Sequence, residues 1–445
     1  MINKPSLPKG TRDFLPLQAK RRKHIFKTIE DCFILNGYQP LETPAMENLS
    51  TLTGKYGDEG DKLLFKILNS GDYLKDANEE LLLKKESTKL IPSISEKGLR
   101  YDLTVPFARV VAMYRNDITF PFKRYQIQAV WRADRPQRGR YREFYQCDAD
   151  VVGSNSLMYE AELIRIYDSV FKSLGIPVKI LINHRSILEG IAIQAGCQDQ
   201  FMALTIAIDK LDKIGVEGVT KELENIGIIP ETSSWILSQL KQSQLDTFKF
   251  NDKATLGVQE MNTALDYLKN TGTHNEVVFD ATLARGLSYY TGCIFEVVPT
   301  TIKMGSLGGG GRYDNLTSIF GLNGVSGVGI SFGADRIYDV MQELSLWPTS
   351  LEVPVKVLFM ALDDQSHRQA FDLAQQCRAA GIPVDVYPDP GKLKKQFKFA
   401  EDLKIPFLVI LGEDEVKTGR YNLKNQSNGE QTSLTIDAII ARLNS

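Results

Sequence analysis

Two arginine-bearing segments, about 150 residues apart, hold the side chains best suited to chemistry in this sequence. The first runs from Val130 to Phe144 and the second from Leu283 to Tyr290. An unpaired guanidinium is very costly to bury, so arginines set between apolar runs must end against polar groups. Arginine binds phosphate and carboxylate groups through two parallel hydrogen bonds. Guanidiniums that converge on one pocket therefore favour a site for a polyanionic nucleotide.

The bulk composition is that of a globular protein with several domains. The chain has 445 residues, of which 43% are hydrophobic and 24% are charged. Such a length fits about two to four domains. The formal net charge is −2, so a nucleic-acid partner would have to be bound by local basic patches rather than by a general basic field.

Neither the cysteines nor the hydrophobic runs indicate export or membrane insertion. Five cysteines are dispersed without a C-x-x-C pair, which argues against a disulfide framework and against a structural zinc site. The start of the chain lacks the apolar core of a signal peptide, and no apolar run is long enough to span a bilayer. We therefore expect a cytoplasmic protein that makes no membrane contact.

The periodicity of the sequence changes twice along the chain. Residues 184–265 show helical periodicity with few strand signals, whereas strand–helix alternation after Pro348 predicts a small α/β domain. In the first part we predict strands over residues 100–103, 125–132 and 142–152. The last two are joined by an Arg/Gly/Pro-rich hairpin loop.

The chain resembles the histidyl-tRNA synthetases, a family of class II aminoacyl-tRNA synthetases, essentially from end to end. Residues 132–144 and 333–336 are similar to class II motifs 2 and 3, and the segment from the first helix to Pro44 is similar to motif 1. The runs Arg-Gly-Leu-Ser-Tyr-Tyr at 285–290 and Gly-Gly-Gly-Gly-Arg-Tyr-Asp at 308–314 are similar to the two histidine-specific signatures.

The resemblance implies an α+β fold with three parts. A class II catalytic domain, built on an antiparallel sheet flanked by helices, would comprise residues 1–183 and 266–345. A helical insertion would comprise residues 184–265, and a C-terminal α/β anticodon-binding domain would comprise residues 353–445. The resemblance also implies a homodimer built through motif 1.

The implied activity is the ATP-dependent ligation of L-histidine to tRNA(His) in two steps. The histidine carboxylate attacks the α-phosphate of ATP and releases pyrophosphate, and the terminal ribose hydroxyl of the tRNA then attacks the mixed anhydride. Both steps gather negative charge on oxygens, so fixed positive donors should dominate catalysis. We expect Mg²⁺ to enter with ATP and to be held mainly by the phosphates. The sequence singles out no protein ligand for the metal.

Five residues match the ATP-binding positions of the family. Arg132 matches the arginine that holds the α-phosphate and the amino-acid carboxylate, and Arg140 matches the loop residue that reaches the β- and γ-phosphates. Phe144 and Arg336 match the pair that sandwiches the adenine ring. Asp134 stands where the general class II pattern has a glutamate, so the chain departs from that pattern at the contact with the adenine amino group.

The histidine pocket implied by the family must pair an ammonium, a carboxylate and an imidazole. A site that pairs every polar atom rejects analogues that lack one. The residues that match this pocket are Asp102 and Thr104 at the amino group, Gln146 and Asp150 closing it, Tyr289 and Tyr290 at the imidazole, and the arginines Arg132 and Arg285. The resemblance assigns catalysis to the two arginines, because a fixed guanidinium at the α-phosphate can neutralise the charge that develops on five-coordinate phosphorus.

Several of these residues also have a structural interpretation. A lone strand arginine such as Arg132 is often a solvated charge, and Phe144 would serve as a core residue. Adjacent tyrosines in a strand often place one ring in the core and one at the surface. The glycine run 308–311, which we interpret as a turn, lets backbone approach a substrate closely but lacks the Lys-Ser/Thr of a P-loop.

The histidines and a group of lysines are less specific signals. The four histidines are dispersed without metal-ligand spacing, and we interpret them as structural. The helix predicted over 392–403 has a basic edge that could meet a phosphate backbone or simply be solvated. This edge consists of Lys392, Lys394, Lys395 and Lys398.

Two non-catalytic functions compete with the ligase. A histidine-sensing regulatory subunit of ATP phosphoribosyltransferase resembles the catalytic domain but generally lacks the C-terminal domain and the catalytic residues. This sequence keeps Arg285, both tyrosines and the α/β tail. A synthetase-like sensor of uncharged tRNA should lose its ATP-binding arginines, yet Arg132, Arg140 and Arg336 are all present.

Overall fold

The computed structural model describes residues 4–53, 63–284 and 290–444, in a first unit that ends at Leu346 and a second that begins at Trp347. The strands are β1 (Gln39–Pro40), β2 (Met46–Asn48), β3 (Lys66–Ile67), β4 (Lys97–Leu99), β5 (Phe122–Trp131), β6 (Glu143–Val152), β7 (Val178–His184), β8 (Glu276–Phe279), β9 (Cys293–Pro299), β10 (Gly308–Tyr313), β11 (Gly327–Gly333), β12 (Val357–Ala361), β13 (Val384–Val386), β14 (Phe407–Leu411), β15 (Tyr421–Asn425) and β16 (Gln431–Leu434). The α-helices are Pro16–Leu35, Leu49–Leu52, Glu79–Leu83, Ser87–Ile94, Thr104–Met113, Met158–Leu174, Arg185–Gln194, Phe201–Asp209, Leu211–Asn225, Pro230–Leu240, Asp252–Lys269, Ala334–Glu343, Asp364–Ala379, Leu393–Asp402, Glu413–Thr418 and Ile436–Asn444.

A largely antiparallel sheet is the frame of the first unit. Its strands follow the order β1-β5-β6-β11-β10-β9-β7-β8, and each pairing from β5 to β7 is antiparallel. The edge pairings of β1 with β5 and of β7 with β8 are parallel. An antiparallel sheet with helices packed against it is the α+β architecture that we expected, so this prediction is confirmed.

One face of this sheet is apolar and carries helices. Side chains alternate between the two faces along each strand. On this face the ring of Phe332 packs edge-on against Phe33 and Tyr167, which lie on the helices Pro16–Leu35 and Met158–Leu174. All three rings are buried, so contacts of this kind provide much of the hydrophobic stabilisation of the unit.

The opposite face is polar. Alternation along β6 brings Gln146, Asp148 and Asp150 to this side, and the pairing with β11 places Ser331 beside Asp148 and Gly329 beside Asp150. Neighbouring strands thus form a floor of polar side chains and bare backbone. A floor of this composition can pair a polar ligand but cannot support a packed core.

Residues 308–311 form a strand rather than the turn that we predicted. The strand β10 pairs with β9 on one side and with β11 on the other. A Cβ on Gly308 would lie 2.7 Å from the ring of Tyr167, and a Cβ on Gly310 would lie 2.2 Å from the carbonyl oxygen of Gly329. Close packing at the centre of the sheet therefore requires these glycines.

The strand that we predicted over residues 100–103 is also wrong. Asp102 accepts a hydrogen bond of 3.3 Å from the backbone N–H of Val105, next to the start of the helix Thr104–Met113. Side-chain-to-backbone bonds of this kind compete with strand pairing. The resulting turn places Asp102 on the wall of the same cavity as Gln146.

The segment between β7 and β8 is mostly helical. Its last helix, Asp252–Lys269, continues beyond residue 265, where the sequence pattern suggested a boundary. This helix packs closely on Arg185–Gln194, since a Cβ on Gly190 would lie 2.5 Å from the side chain of Ala254. The close contact attaches the helical segment to the end of β7.

The second unit is the small α/β domain that the sequence predicted. Its sheet has the order β13-β12-β14-β15-β16. The strand β12 is parallel to both β13 and β14, whereas β15 and β16 continue the sheet as an antiparallel hairpin. Lys394, Lys395 and Lys398 are exposed on the helix Leu393–Asp402, so the expected basic edge is accessible.

The five cysteines are all free thiols. Burial raises the pKa of the Cys147 and Cys293 thiols well above their ordinary value, which makes these two thiols unreactive. In the part of the chain that the structure describes, no helix combines the length and the apolar character needed to cross a bilayer.

Replacement of Gly310 by alanine should destabilise the first unit, because the new Cβ would meet the backbone of a paired strand. We expect the free energy of unfolding to fall by about 2 kcal/mol or more, as measured by urea or thermal unfolding. Gly309→Ala is the matched control, since a Cβ at Gly309 meets no closer atom than the Phe295 carbonyl oxygen at 3.4 Å. Equal stability of the two variants would contradict this packing.

Candidate active site

A cavity of about 420 Å³ opens on the polar face of the sheet. Most of the site residues expected from the sequence line it, namely Asp102, Thr104, Arg132, Asp134, Arg140, Phe144, Gln146, Tyr290 and Arg336. They come from the β5–β6 hairpin, the turn before the helix Thr104–Met113, the segment before β9 and the start of the helix Ala334–Glu343. Of the remaining expected residues, Asp150 lies in the inner floor, where it lines a small adjoining pocket. Arg285 and Tyr289 lie outside the described residues.

Two guanidiniums and an aromatic ring share one wall of the cavity. Nε of Arg132 donates to the carbonyl oxygen of Tyr101 at 2.8 Å, and its guanidinium carbon lies 5.2 Å from the centre of the Phe144 ring. Nε of Arg336 donates to the carbonyl oxygen of Gly139 at 2.9 Å. Backbone acceptors therefore hold both guanidinium planes in fixed positions.

The β5–β6 loop is attached to the helix that carries Arg336. Gly139 has a φ of +71°, and a Cβ there would lie 3.5 Å from the side chain of Arg336. The Tyr141 hydroxyl donates to the carboxylate of Asp339 on that helix at 3.0 Å. Glycine at 139 is thus favoured by its left-handed backbone, and its neighbour Arg336 lies at ordinary contact distance.

Asp335 anchors this wall, although the sequence motifs did not single it out. It is buried, it lines the cavity, and it accepts a hydrogen bond of 2.9 Å from the backbone N–H of Tyr145. Its carboxylate also pairs with Arg12 and Arg22. These bonds join the N-terminal segment, the first helix and β6 to the residue before Arg336. In the sequence, the position of Asp335 directly before Arg336, within the motif 3 segment 333–336, could have identified it.

The inner floor contains a buried ion pair. Arg124 has no exposed surface, and its guanidinium lies 2.8 Å from one carboxylate oxygen of Asp150. The hydroxyl of Tyr313 donates to the other oxygen at 2.7 Å. Both oxygens of Asp150 are therefore engaged, and Gly329 must be glycine because a Cβ would lie 2.0 Å from Asp150.

Asp148 is a second buried carboxyl of the floor, and the sequence motifs passed over it. It accepts a hydrogen bond from the Ser331 hydroxyl. That hydroxyl in turn accepts a hydrogen bond of 3.0 Å from the side-chain amide of Gln146. Oδ1 of Asp148 has no hydrogen-bond partner among the described residues. Residues 146, 148 and 150 share one face of a strand, and this alternation could have identified Asp148.

The buried carboxyls of the floor have raised pKa values. Burial raises the pKa of Asp148 to about 7; Arg124 opposes this rise, whereas the nearby carboxylates of Asp150 and Asp102 add to it. Burial also raises the pKa of Asp150, against the effects of Arg124 and of the Tyr313 hydroxyl. The positive charge of Arg124 thus lowers the pKa of two buried carboxyls at once. It does not offset the burial of Asp148, whose pKa stays at about 7.

The histidines do not line this cavity, and two of them make structural hydrogen bonds. Nδ1 of His184 accepts the backbone N–H of Ser186 at a helix start, while Nε2 lies 2.8 Å from Glu260. Nε2 of His367 lies 3.0 Å from the carbonyl oxygen of Tyr387. Across the described ranges, no group of three or more His, Cys, Asp or Glu side chains is placed to hold a metal ion.

The fold and the cavity together are those of a class II aminoacyl-tRNA synthetase catalytic domain. A family model described as histidyl-tRNA synthetase matches residues 73–337, and a model described as an anticodon binding domain matches residues 355–445. The histidine–tRNA ligase of Phocaeicola vulgatus is 52% identical over 450 residues, which cover 99% of each chain. The chain belongs to the histidyl-tRNA synthetase family.

Solved structures have the same fold. The histidyl-tRNA synthetase from Nostoc sp. PCC 7120 superposes with a TM-score of 0.83 at 30% identity, over 99% of both chains. An ATP phosphoribosyltransferase regulatory subunit/histidyl-tRNA synthetase from Bacillus halodurans gives a TM-score of 0.71 at 22% identity, over 90% of this chain and 97% of that one. At that identity the second likeness shows the fold alone.

The raised pKa of Asp148 predicts how stability depends on pH. Between about pH 4 and pH 7 the folded protein binds more protons at this carboxyl than the unfolded chain does. The free energy of unfolding should therefore fall as pH rises through this range, by up to about 1.4 kcal/mol per pH unit. Asp148→Asn removes this dependence, so the variant should be more stable than the wild type at pH 7.5.

Thermal unfolding of wild type and Asp148→Asn at a series of pH values measures this difference. The two proteins should approach equal stability towards pH 4, where the wild-type carboxyl is protonated. A stability difference that stays constant from pH 4 to pH 7.5 would contradict the raised pKa.

Proposed function

We propose that the protein is a histidine–tRNA ligase. It activates L-histidine with ATP to histidyl-adenylate and pyrophosphate, and it then transfers histidine to the 3′ end of tRNA(His). The observation that carries this proposal is the shared cavity of about 420 Å³, which brings three arginines and an acidic floor together. The family membership and the 52% identity over nearly the whole chain support the same activity.

The arginine wall suits the nucleotide. Phe144 and Arg336 flank the cavity and would hold the adenine ring between an aromatic face and a guanidinium face. Arg132 would bind the α-phosphate, because its Nε is occupied by a backbone carbonyl and its terminal nitrogens remain as donors. Arg140 is exposed at the rim, where it can reach the β- and γ-phosphates. Asp134 also lines the cavity, and we retain it as an ATP-binding residue.

Fixed guanidiniums favour the activation step. Negative charge grows on the α-phosphate oxygens as the histidine carboxylate attacks, and donors that are already in place stabilise this charge without reorganisation. The backbone bonds of Arg132 and Arg336 provide such fixed placement. We propose Arg285 as the second catalytic residue on the basis of the family signature at residues 285–290.

The acidic floor suits the amino acid. Asp102 is only 2% exposed and stands beside Thr104 on the cavity wall, so it would attract the α-ammonium group strongly. Gln146 would complete this subsite, and Tyr290 would contact the imidazole. Asp150 would act from the inner floor, through Arg124 and Tyr313. We also propose Tyr289 as an imidazole contact.

The proposal also includes a metal ion, the tRNA and a cellular location. Mg²⁺ would enter with ATP and be held by phosphate oxygens and water, as this cation prefers. The tRNA would meet the anticodon-binding domain, where the exposed Lys394, Lys395 and Lys398 fit a phosphate backbone. A cytoplasmic location is consistent with five free thiols. We also propose a division into a catalytic domain (residues 1–183 and 266–345), a helical insertion (184–265) and a C-terminal domain (353–445).

We also propose a homodimer. A groove of about 950 Å³ beside the motif 1 segment is lined by the exposed side chains of Met46, Leu68, Tyr73, Met113 and Tyr114. Exposed apolar side chains gathered in this way mark protein interfaces. Sedimentation velocity should therefore give the mass of two chains, and the mass of one chain would contradict this assembly.

The regulatory-subunit alternative is disfavoured. Its solved representative shares the fold at only 22% identity, whereas relatives that match the full chain at about half identity are histidine–tRNA ligases. The match of an anticodon binding domain over residues 355–445 also fits a tRNA ligase better than a sensor subunit.

Histidine-dependent exchange of labelled pyrophosphate into ATP tests the proposed activity. The wild type should catalyse it, and Arg285→Ala should reduce the rate by about 100-fold or more while largely sparing ATP binding. Arg138→Ala is a matched control, because Arg138 is exposed and pairs with Glu343 outside the cavity. A wild type without exchange would refute the ligase, and near-normal exchange by Arg285→Ala would refute the role of Arg285.

A further inference from the structure

The proposed function leaves one buried carboxyl of the site without a role. Asp148 is 2% exposed, and its Oδ1 has no hydrogen-bond partner in the described part of the chain. A buried polar atom without a partner is destabilising. Asparagine would fit the same space without a charge, so a carboxyl at this position has a reason beyond the stability of the fold.

A small pocket connects Asp148 to the active-site cavity. The pocket has a volume of about 20 Å³, which is enough for one water molecule. It is lined by Asp148, Asp150 and Tyr313, and it shares Tyr290 and Ser331 with the main cavity. The unpartnered carboxyl therefore lies at the inner end of the site, next to the tyrosine at the imidazole position.

Asp150, the other acid of this pocket, is already committed. One of its oxygens pairs with Arg124 at 2.8 Å and the other accepts the Tyr313 hydroxyl at 2.7 Å. Asp102 is not part of the pocket lining. Among the described residues that line this pocket, Oδ1 of Asp148 is thus the carboxylate oxygen that accepts no hydrogen bond.

The chemistry of an imidazole ring fits this acceptor. A neutral imidazole has one N–H donor and one bare ring nitrogen, and a selective site must pair both. The uncharged neighbours of Asp148 are already organised, because Gln146 donates to Ser331 and Ser331 donates to Asp148. This chain of bonds fixes the Asp148 carboxyl and leaves Oδ1 as its open acceptor.

We propose that Asp148 is a further specificity-determining residue, whose Oδ1 accepts the N–H of the substrate's imidazole directly or through one water in the adjoining pocket. This inference rests on the proposed function, since it assumes that histidine occupies the cavity. Asp148 then recognises the ring through a hydrogen bond, while Asp102 and Thr104 bind the α-amino group. The carboxyl that weakens the fold is retained because it selects the amino acid.

Measurements on Asp148→Asn with two different amino acids distinguish a loss of ring recognition from a general loss of folding or activity. Histidine carries the imidazole N–H, whereas 2-thienylalanine has the same α-amino and carboxylate groups on a ring without N–H. We expect kcat/KM for histidine in pyrophosphate exchange to fall about 10- to 100-fold, mainly through KM. The inhibition constant of 2-thienylalanine and the KM for ATP should change less than about threefold, within the effect of an ordinary surface change.

A buried carboxyl that lines neither the cavity nor the small pocket supplies the control. Asp168 accepts hydrogen bonds from the backbone N–H groups of His274 and Asn275 at 2.9 and 2.7 Å. Asp168→Asn should lower the melting temperature without changing the ratio of the histidine and 2-thienylalanine constants. If Asp148→Asn does not accumulate as folded protein, Asp148→Ser is measured by the same ratio.

Two outcomes would overturn the inference. Equal weakening of both amino acids would show that Asp148 contacts the ammonium group or only supports the fold. Because the asparagine amide oxygen can still accept a hydrogen bond, Asp148→Ala is measured as well, and an unchanged constant for histidine in both variants would show that Asp148 does not recognise the ring. Failure of the proposed function is distinguishable from either outcome, because the wild type itself would then show no histidine-dependent exchange.

Discussion

The buried ion pair between Arg124 and Asp150 is the interaction on which the site depends. The two side chains are 0% and 4% exposed and lie 2.8 Å apart, so loss of either partner would leave an uncompensated charge inside the protein. The residues face each other across β5 and β6, which are the strands of the hairpin that ends in Arg132 and the motif 2 loop. The pair therefore holds the register of the hairpin that presents Arg132 and Arg140 to the cavity.

One face of the sheet contributes to the stability of the fold, and the other face carries the cavity. Helices bury the apolar face, where Phe332 lies among aromatic rings, and this packing leaves the other face available for polar groups. On that face, backbone carbonyls orient Arg132 and Arg336, and the bare backbone of Gly308 and Gly309 lines the cavity. Asp148 illustrates the resulting conflict, since its burial raises its pKa to about 7 and weakens the fold at neutral pH.

Much of the fold and of the site could be predicted, because both are encoded in contiguous motifs. The β5–β6 hairpin, the C-terminal α/β domain and the residues that line the cavity follow from local patterns or from the family signatures. The errors arose where tertiary contacts decide the structure. A hydrogen bond from the backbone N–H of Val105 to the Asp102 side chain takes the place of the strand over residues 100–103. Close packing made a strand of the glycine run 308–311. Asp335 and Asp148 were missed because their roles depend on partners distant in the sequence.

A crystal structure with L-histidine and a non-hydrolysable ATP analogue would test the central claim, that one cavity holds both substrates. The claim predicts the adenine ring between Phe144 and Arg336, the α-phosphate at Arg132, and the imidazole at the inner end beside Tyr290. A nucleotide bound elsewhere on the first unit, or a histidine whose ring points out of the cavity, would contradict it.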